Sequence, residues 1–287
     1  MRLPALLCLL TALHAAEAPT PTKPTAGALE LKVMTFNLRY ASTSMPHAWS
    51  VRRPVTKACL EQTGPDLIGT QEGLAAQLAD MREDLPAYAM FGQGREGGAK
   101  GEHMAVFYRR ARFEVLETHD YWLSETPEVV GSKSWDTSLP RMVTWARFRD
   151  KPTGKVFVFA NTHFDHMSEE ARAQSAKLVR ARLSALQPSE PILLVGDFNS
   201  AAKASAAYQT FTEDGFLTDL YRTAPRREGE DLNSFHGYRK PRHDGIHIDW
   251  LLGRGGWKSR SGVVVTFAVD GQNPSDHYPV MVDIGLE

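Results

Sequence analysis

The chain has 287 residues, 42% of them hydrophobic and 23% charged, which is typical of a globular protein with a substantial core. Its formal net charge is −1 and its pI is about 6.8. Proteins that grip long polyanions usually carry a strong basic field, and this chain lacks one. Of its two cysteines, Cys8 falls in the predicted leader described next, so Cys59 has no internal disulfide partner and is expected to be buried.

The first 28 residues have the pattern of an export leader followed by a tether. A short positive start, a mostly apolar stretch over residues 3–13 and the small-x-small motif AEA at 16–18 predict a cleavable signal peptide, residues 1–18. The stretch is too short to span a bilayer permanently, and no later segment is long and apolar enough, so no stable membrane insertion is expected. Residues 19–28 are Pro/Thr-rich and predict a flexible linker, and 29–287 form one domain. We therefore expect an exported protein, periplasmic or extracellular.

Periodicity and turn signals divide this domain into predicted elements. In chain order we expect a strand over 29–39, a helix over 49–63, a strand over 66–72, a helix over 74–85, strands over 104–108, 113–121, 142–148 and 156–161, a helix over 168–186, and strands over 191–195, 246–252, 262–269 and 279–284. The Gly-rich stretch 92–101 predicts a loop without the strand–turn–helix context of a phosphate cradle. Strands outnumber helices and hairpins mix with helical crossovers, which predicts a layered α/β fold of mixed sheets with helices outside.

Polar residues follow or lie within most of the apolar strands. They are Asn37 after VMTF, Glu72 after LIGTQ, His163 after VFVFANT, Asp197 after ILLVG, Asp249 within IHIDWLL, and Asp276-His277 before YPVMV. Strands that end at one edge of a core can bring such side chains into one cleft. Each residue alone is more typical of a turn or of a structural histidine, so the prediction depends on their number, types and order.

These motifs together resemble those of the endonuclease/exonuclease/phosphatase superfamily, which has the deoxyribonuclease I-like fold. The matching segments are MTFN (34–37), QE (71–72), NTHFDH (161–166), GDFN (196–199), IDW (248–250) and SDH (275–277). The NTHFDH version, with WLSETP (122–127), is closer to the branch of secreted bacterial members and deadenylase-like exonucleases. The resemblance implies a four-layer α/β sandwich of two packed, mostly antiparallel (mixed) sheets flanked by helices.

The resemblance implies a divalent metal beside a water-activating carboxylate. Glu72, with Asn37 and Asp276, would bind Mg²⁺ or Mn²⁺, since hard cations prefer oxygen ligands. Asp197 would orient and deprotonate the attacking water, and Asn199 would hold that water or a phosphate oxygen.

Two histidines and an arginine complete the implied site. His163 and His277 would donate hydrogen bonds to the phosphoryl oxygens, and Arg141 would contact the phosphate. A histidine needs a carboxylate partner to stay protonated at neutral pH. The family pattern pairs Asp249 with His277 and Glu102 with His163. For Glu102 and Arg141 the local match is short, and surface ion pairs are an alternative.

A zinc site is a second interpretation. His163, Asp165 and His166, with His243 or His247, have nitrogen and carboxylate donors that zinc accepts. No zinc spacing motif accounts for Asp197 and Asn199, however.

The substrate is less defined by the sequence. The basic loop 239–243 (RKPRH) could recruit a second phosphate or could be a solvated surface loop. Four aromatic residues could stack on a substrate or could belong to the core, namely Trp122, Trp135, Phe164 and Tyr238.

We expect an exported Mg²⁺- or Mn²⁺-dependent phosphoester hydrolase, either a phosphodiesterase or nuclease or a phosphatase. It would act on small phosphate esters, with a nucleotide or short nucleic acid included and with no obligate protein partner. The alternatives are a sphingomyelinase-like lipid phosphodiesterase and a non-catalytic binding protein on the same fold.

Overall fold

The structure is a computed structural model that describes residues 27–187 and 189–287. The predicted signal peptide (1–18) and most of the predicted linker (19–28) lie outside the described residues, so both stay predictions. No helix among the described residues has the length and apolar character that crossing a membrane requires.

Strands and helices alternate irregularly along the described chain. They are β1 (Leu29–Asn37), α1 (Trp49–Thr63), β2 (Leu67–Gln71), α2 (Ala75–Asp84), β3 (Tyr88–Phe91), β4 (Val106–Arg109), β5 (Phe113–Trp122), β6 (Met142–Asp150), β7 (Val156–His163), α3 (Glu169–Ser184), β8 (Ile192–Asp197), α4 (Ala206–Thr212), β9 (Thr218–Asp219), β10 (Arg226–Glu228), β11 (Asp249–Arg254), β12 (Lys258–Val264) and β13 (Val280–Leu286). A short 3-10 turn, Glu213–Gly215, follows α4.

The strands form two mixed sheets. One has the order β10-β12-β13-β1-β2-β4-β3 and the other β5-β6-β7-β8-β11-β9. Three neighbouring pairs are parallel, β1/β2, β7/β8 and β10/β12, and the other pairs are antiparallel. This confirms the predicted mostly antiparallel sheets.

The central strands are buried on both faces, which produces four layers. On β1, Val33 packs into the core between the sheets, whereas Phe36 packs into the cluster that includes residues of α1 and α2. On β8, Leu193 enters the same inter-sheet core and Leu194 faces residues of α3 and α4. Successive side chains of a strand point to opposite faces, so continuous apolar runs let each sheet contact its partner sheet and its helices at once. The predicted α/β sandwich is confirmed.

The helix boundaries follow local signals. Ser168 caps α3 by accepting a hydrogen bond from the backbone N–H of Ala171 at 3.1 Å, and two glutamates stand in the first turn. α1 ends at Gly64, whose φ of 60° is the left-handed conformation common at helix C-termini.

Strand register brings the polar strand ends to one edge of the molecule. Asn37 pairs with Gln71 across the parallel strands β1 and β2, directly before Glu72. His163 pairs with Asp197 across β7 and β8, and Asp197 pairs with Asp249 across β8 and β11. The carboxyl ends of parallel strands meet at the same sheet edge, and the two sheets stack with these edges together.

Two predicted strands were misplaced. The strand expected over 246–252 begins at Asp249, because the backbone N–H of Ile246 donates to the Asn233 side chain and that of Ile248 to Ser234 Oγ. The strand expected over 262–269 runs from Lys258 to Val264, because its polar first half pairs with β13. β3, α4, β9 and β10 were not predicted.

Candidate active site

A cleft of about 290 Å³ opens at the edge where the strand ends meet. It is lined by eight of the predicted site residues: Glu72, Glu102, Arg141, His163, Asp197, Asn199, Asp276 and His277. The other two, Asn37 and Asp249, are buried directly behind them. The structure therefore brings together side chains from positions 37 to 277.

Asn37 holds two carboxylates in place. Its amide nitrogen donates to Glu72 Oε1 at 3.1 Å and to Asp197 Oδ2 at 2.9 Å. Its amide oxygen accepts from the backbone N–H of Arg39 at 2.9 Å, and its side chain does not line the cleft. These contacts make Asn37 a positioning residue for both carboxylates, and its role as a metal ligand stays a prediction.

Three cleft residues have positive φ angles that residues with side chains seldom adopt. The values are 54° at Arg39, 62° at Glu72 and 47° at Asn199. Each residue follows directly or closely on the end of a strand: β1, β2 and β8 respectively. Such conformations cost free energy and are concentrated at functional sites. Here they turn the chain at the strand end so that the side chain lies along the cleft.

Asp197, His277 and Asp249 form a buried row of three ionisable groups, in which His277 lies between the two carboxylates. His277 Nδ1 lies 3.0 Å from Asp249 Oδ2, as the family pattern predicts, and His277 Nε2 lies 3.7 Å from Asp197 Oδ2. Burial alone would lower the pKa of His277, but the charges of Asp249 and Asp197 outweigh it and raise that pKa. His277 is thus a cation at neutral pH. Burial and the charge of Asp249 raise the pKa of Asp197, which suits a group that must accept a proton near neutrality.

These three residues also form a potential metal-binding cluster among the described residues, with donor atoms within 4.8 Å of one another. A histidine ligand must offer a nitrogen lone pair to the metal. Both ring nitrogens of His277 face carboxylates instead, and the imidazolium form has no free lone pair. We therefore interpret this cluster as an imidazolium that lies between two carboxylates, hydrogen-bonded to Asp249 and ion-paired with Asp197.

The predicted pairing of Glu102 with His163 is wrong. Glu102 Oε2 accepts from Arg95 Nη1 at 2.6 Å. His163 Nε2 accepts from the Asn199 amide nitrogen at 3.1 Å, and His163 Nδ1 is buried without a partner. Burial, followed by the charge of Arg141, lowers the pKa of His163 well below its usual value. His163 is therefore neutral at neutral pH, and we had expected a cation.

Asp165 and His166 do not form the alternative zinc site. Asp165 is buried and accepts hydrogen bonds from the side chains of Thr137 and Ser138 and from three backbone N–H groups. His166 Nδ1 lies 2.9 Å from Arg141 Nη2, and the exposed His243 contacts Asp231. Among the described residues these groups do not meet as a set of three or more potential ligands.

Glu72 and Asp276 fit a hard divalent cation. Both carboxylates line the cleft, and burial, together with the charge of Glu72, raises the pKa of Asp276 more than the charges of His277 and Arg39 lower it. Two carboxylates close enough to disfavour each other's ionisation are stabilised by a cation between them. Arg39 Nε lies 3.8 Å from Asp276 Oδ2.

Several cleft residues were not predicted. They are Arg39, Tyr40, Arg95, Leu139, His166, Phe235 and Ile248, of which His166 was considered only as a zinc ligand. Arg39 lies two residues after Asn37, so its closeness in sequence to a predicted site residue could have indicated it. Arg95 lies in the Gly-rich loop, where no periodicity indicates which side chain turns inward. Of the aromatic candidates, Trp122 and Phe164 belong to the core. Neither Trp135, Tyr238 nor any residue of the basic loop 239–243 lines the cleft.

Comparison with known proteins identifies the family of this chain. Residues 34–277 match the model of the Endonuclease/Exonuclease/phosphatase family. The chain belongs to that family. A family member from Bacteroides thetaiotaomicron of known crystal structure is 35% identical, with a TM-score of 0.86 over 92% of this chain and 97% of that one. A mannosyl-6-phosphatase from the same organism is 36% identical, with a TM-score of 0.83 over 88% of this chain and 99% of that one.

The family resemblance expected from the motifs is thereby confirmed. The catalytic domain of human nocturnin is 17% identical, with a TM-score of 0.70 over 89% of this chain and 94% of that one, and it shares the fold. Membership of this family of metal-dependent phosphoesterases, together with phosphatase neighbours, makes the chain a phosphoester hydrolase.

Proposed function

We propose that this protein is an exported, divalent-metal-dependent phosphatase that removes phosphate from small esters, with sugar phosphates as its substrate class. One observation carries the proposal. Two carboxylates suited to a cation, Glu72 and Asp276, share a cleft of about 290 Å³ with three arginines, three histidines and Asp197. A phosphate group has oxygens for both the cation and the guanidinium groups.

Glu72 and Asp276 would hold Mg²⁺ or Mn²⁺ by their carboxylate oxygens. When bound, such an ion neutralises charge on a phosphate oxygen and on the leaving oxygen. Asn37 keeps Glu72 in place through its 3.1 Å hydrogen bond, so the ligand geometry is fixed before an ion arrives.

Asp197 is the base. Its Oδ1 accepts from the backbone N–H of Asn199 at 2.9 Å and its Oδ2 from Asn37 at 2.9 Å, which fixes the carboxylate. A water oxygen attacks phosphorus and its proton passes to Asp197, while the ester P–O bond breaks and the leaving oxygen takes a proton from solvent water. The cationic His277 stabilises charge that develops on the phosphoryl oxygens.

The rim of the cleft favours a compact leaving group with an apolar face. Phe235 is 46% exposed, and its ring centroid lies 4.9 Å from that of His277. Leu139, which is 36% exposed, and the partly buried Ile248 line the same space. A sugar ring has C–H groups that pack on such side chains and hydroxyls that bind polar neighbours. A relative at 36% identity is a mannosyl-6-phosphatase, which supports the sugar-phosphate class.

A substrate panel tests this function. Initial rates are measured with Mg²⁺ and with EDTA on mannose 6-phosphate, p-nitrophenyl phosphate, bis-p-nitrophenyl phosphate, single-stranded RNA and sphingomyelin vesicles. We expect the highest kcat/KM on the monoesters, mannose 6-phosphate above p-nitrophenyl phosphate, and loss of activity in EDTA. Faster cleavage of the diester or RNA would make the protein a phosphodiesterase, and cleavage of sphingomyelin alone would support the lipid enzyme. No turnover of any compound would support a binding protein.

A further inference from the structure

The Gly-rich loop 92–101 closes on itself and presents one side chain to the cleft. The backbone N–H of Gly94 donates to Gly98 O at 2.7 Å, and that of Glu96 to Lys100 O at 3.2 Å. A Cβ atom at Gly94 would lie 1.9 Å from Lys100 O, so this crossing requires glycine. The backbone donors of these residues are used inside the loop. What the loop offers to a ligand is therefore the side chain of Arg95.

Arg95 is fixed from several sides. Its backbone N–H donates to Glu102 O at 2.9 Å, and its backbone oxygen accepts from Trp122 Nε1 at 2.6 Å. Its Nη1 donates to Glu102 Oε2 at 2.6 Å, and its side chain is 7% exposed. A guanidinium held this firmly loses little conformational entropy on binding a ligand.

Arg95 and Arg141 both have buried donors without hydrogen-bond partners. Arg95 Nε has none, and neither do Nε and Nη1 of Arg141. Arg141 Nε lies 3.6 Å from Asp165 Oδ1, an oxygen already shared by Thr137 and Ser138. Buried N–H groups without acceptors are costly and rare in native proteins. Both arginines line the cleft, where phosphate oxygens would satisfy such donors.

We propose that Arg95 is a substrate-binding residue that joins Arg141 on the terminal oxygens of the phosphate and makes the enzyme prefer monoesters to diesters. This proposal rests on the proposed phosphatase function. A monoester dianion has three terminal oxygens and two negative charges, whereas a diester has two such oxygens and one charge. A second guanidinium therefore stabilises the bound monoester more than the diester.

The test compares Arg95→Gln with wild type on p-nitrophenyl phosphate and bis-p-nitrophenyl phosphate. Because the variant loses the charged hydrogen bonds from the Arg95 guanidinium, we expect kcat/KM to fall about 30-fold on the monoester and by no more than about threefold on the diester. Lys100→Ala is the matched control, because it removes a positive charge from the exposed part of the same loop, and it should leave both rates unchanged. Equal falls on the two substrates would overturn the proposal.

A second variant separates binding from an indirect effect through Glu102. Arg95→Gln leaves Glu102 without its partner, and that carboxylate could repel phosphate by itself. In the double variant Arg95→Gln/Glu102→Gln this repulsion is absent. The proposal expects the monoester defect to persist in the double variant, and recovery to wild-type kcat/KM would overturn it.

A measurement of phosphate binding without turnover tests the role of Arg95 separately from the proposed phosphatase function. Calorimetry of inorganic phosphate with the Mg²⁺-loaded protein should give a Kd that Arg95→Gln raises by about 30-fold and Lys100→Ala leaves unchanged. An unchanged Kd in Arg95→Gln would overturn the role of Arg95, even in an active phosphatase. A wild-type enzyme that hydrolyses only diesters yet shows the expected Kd change would overturn the proposed function and the monoester preference, while it would support Arg95 as a phosphate-binding residue.

Discussion

The buried polar residues near the cleft differ in how fully their hydrogen bonds are satisfied. Arg52 is completely buried and donates to five backbone carbonyls, on His47, Leu38, Pro274, Arg39 and Tyr40. Asp165 is likewise fully bonded. Arg141, His163 and Asp249 each retain a buried atom with no partner. Fully bonded groups hold the loops that carry the site, whereas incompletely bonded groups line the cleft or lie directly behind it.

Replacing Asp165 should destabilise the fold. Burial raises its pKa, but hydrogen bonds from the backbone of Ser168 and Met167 and from two hydroxyls outweigh this and lower the pKa. Asp165→Asn should reduce the free energy of unfolding at pH 7 by roughly 2 kcal/mol. A carboxyl group whose pKa is lower in the folded state stabilises the fold at pH values above its unfolded pKa of about 3.9. The difference in unfolding free energy between wild type and Asp165→Asn should therefore shrink as the pH falls below about 4.

Urea denaturation of Asp165→Asn between pH 3 and pH 7 measures this effect. Asp136→Asn is the control, because Asp136 is exposed in the neighbouring loop and should tolerate the change. A difference between Asp165→Asn and wild type that stays constant over this pH range would show that the ionised carboxylate is not what stabilises the loop.

Residue identities in the site could be predicted from sequence better than residue partners. Asp197, Asn199 and His277 stand in short motifs whose chemistry is specific, so their presence in one cleft was predictable. Glu102 was assigned to His163 on the family pattern, and no spacing pattern in the Gly-rich loop indicated Arg95 as its partner. Which atoms pair depends on loop geometry that no periodicity encodes.

At the level of elements, the buried strands and long helices could be predicted, and the short or polar elements could not. β7 and β8 begin with continuous apolar runs, as strands covered on both faces do, whereas β1 alternates apolar and charged residues in its first half. α4 has only seven residues, and β12 begins with a polar segment, so neither has a clear period. The Ser205 cap of α4 was a usable signal, since its side chain accepts from the N–H of Tyr208.

The Ser168 cap should contribute measurably to α3. Its Oγ accepts from the Ala171 N–H at 3.1 Å and donates to Trp135 O at 3.0 Å. Ser168→Ala should lower the free energy of unfolding by about 1 kcal/mol in urea denaturation. Ser184→Ala, at the other end of α3, should cost less than about 0.5 kcal/mol. Equal losses in the two variants would contradict capping as the cause.

For the whole molecule, charge and topology set which ligands reach the cleft. The net charge of −1 gives no long-range attraction for polyanions, while three arginines line the cleft itself. Recognition is therefore local, and it favours one phosphate over a long nucleic acid.

Export would place this activity outside the cytoplasm. If residues 1–18 are a signal peptide, protein made from the full chain in a bacterial host and recovered from the periplasm or medium should lack them. Intact-mass spectrometry would show the loss, and replacing apolar Leu9 and Leu10 with Arg should keep the uncleaved chain in the cells. A full-length mass in the exported fraction would contradict a cleavable leader.

The central claim is that groups far apart in the chain form one metal-dependent catalytic site, and release of phosphate from mannose 6-phosphate tests it most directly. Asp197→Asn keeps the shape of the side chain but removes the base. It should lower kcat between about 10²- and 10⁴-fold with the fold intact by circular dichroism. EDTA should abolish wild-type turnover and added Mg²⁺ restore it. Asp214→Asn, which changes an exposed side chain, should match wild type. Wild-type rates in Asp197→Asn, or full activity in EDTA, would contradict the account.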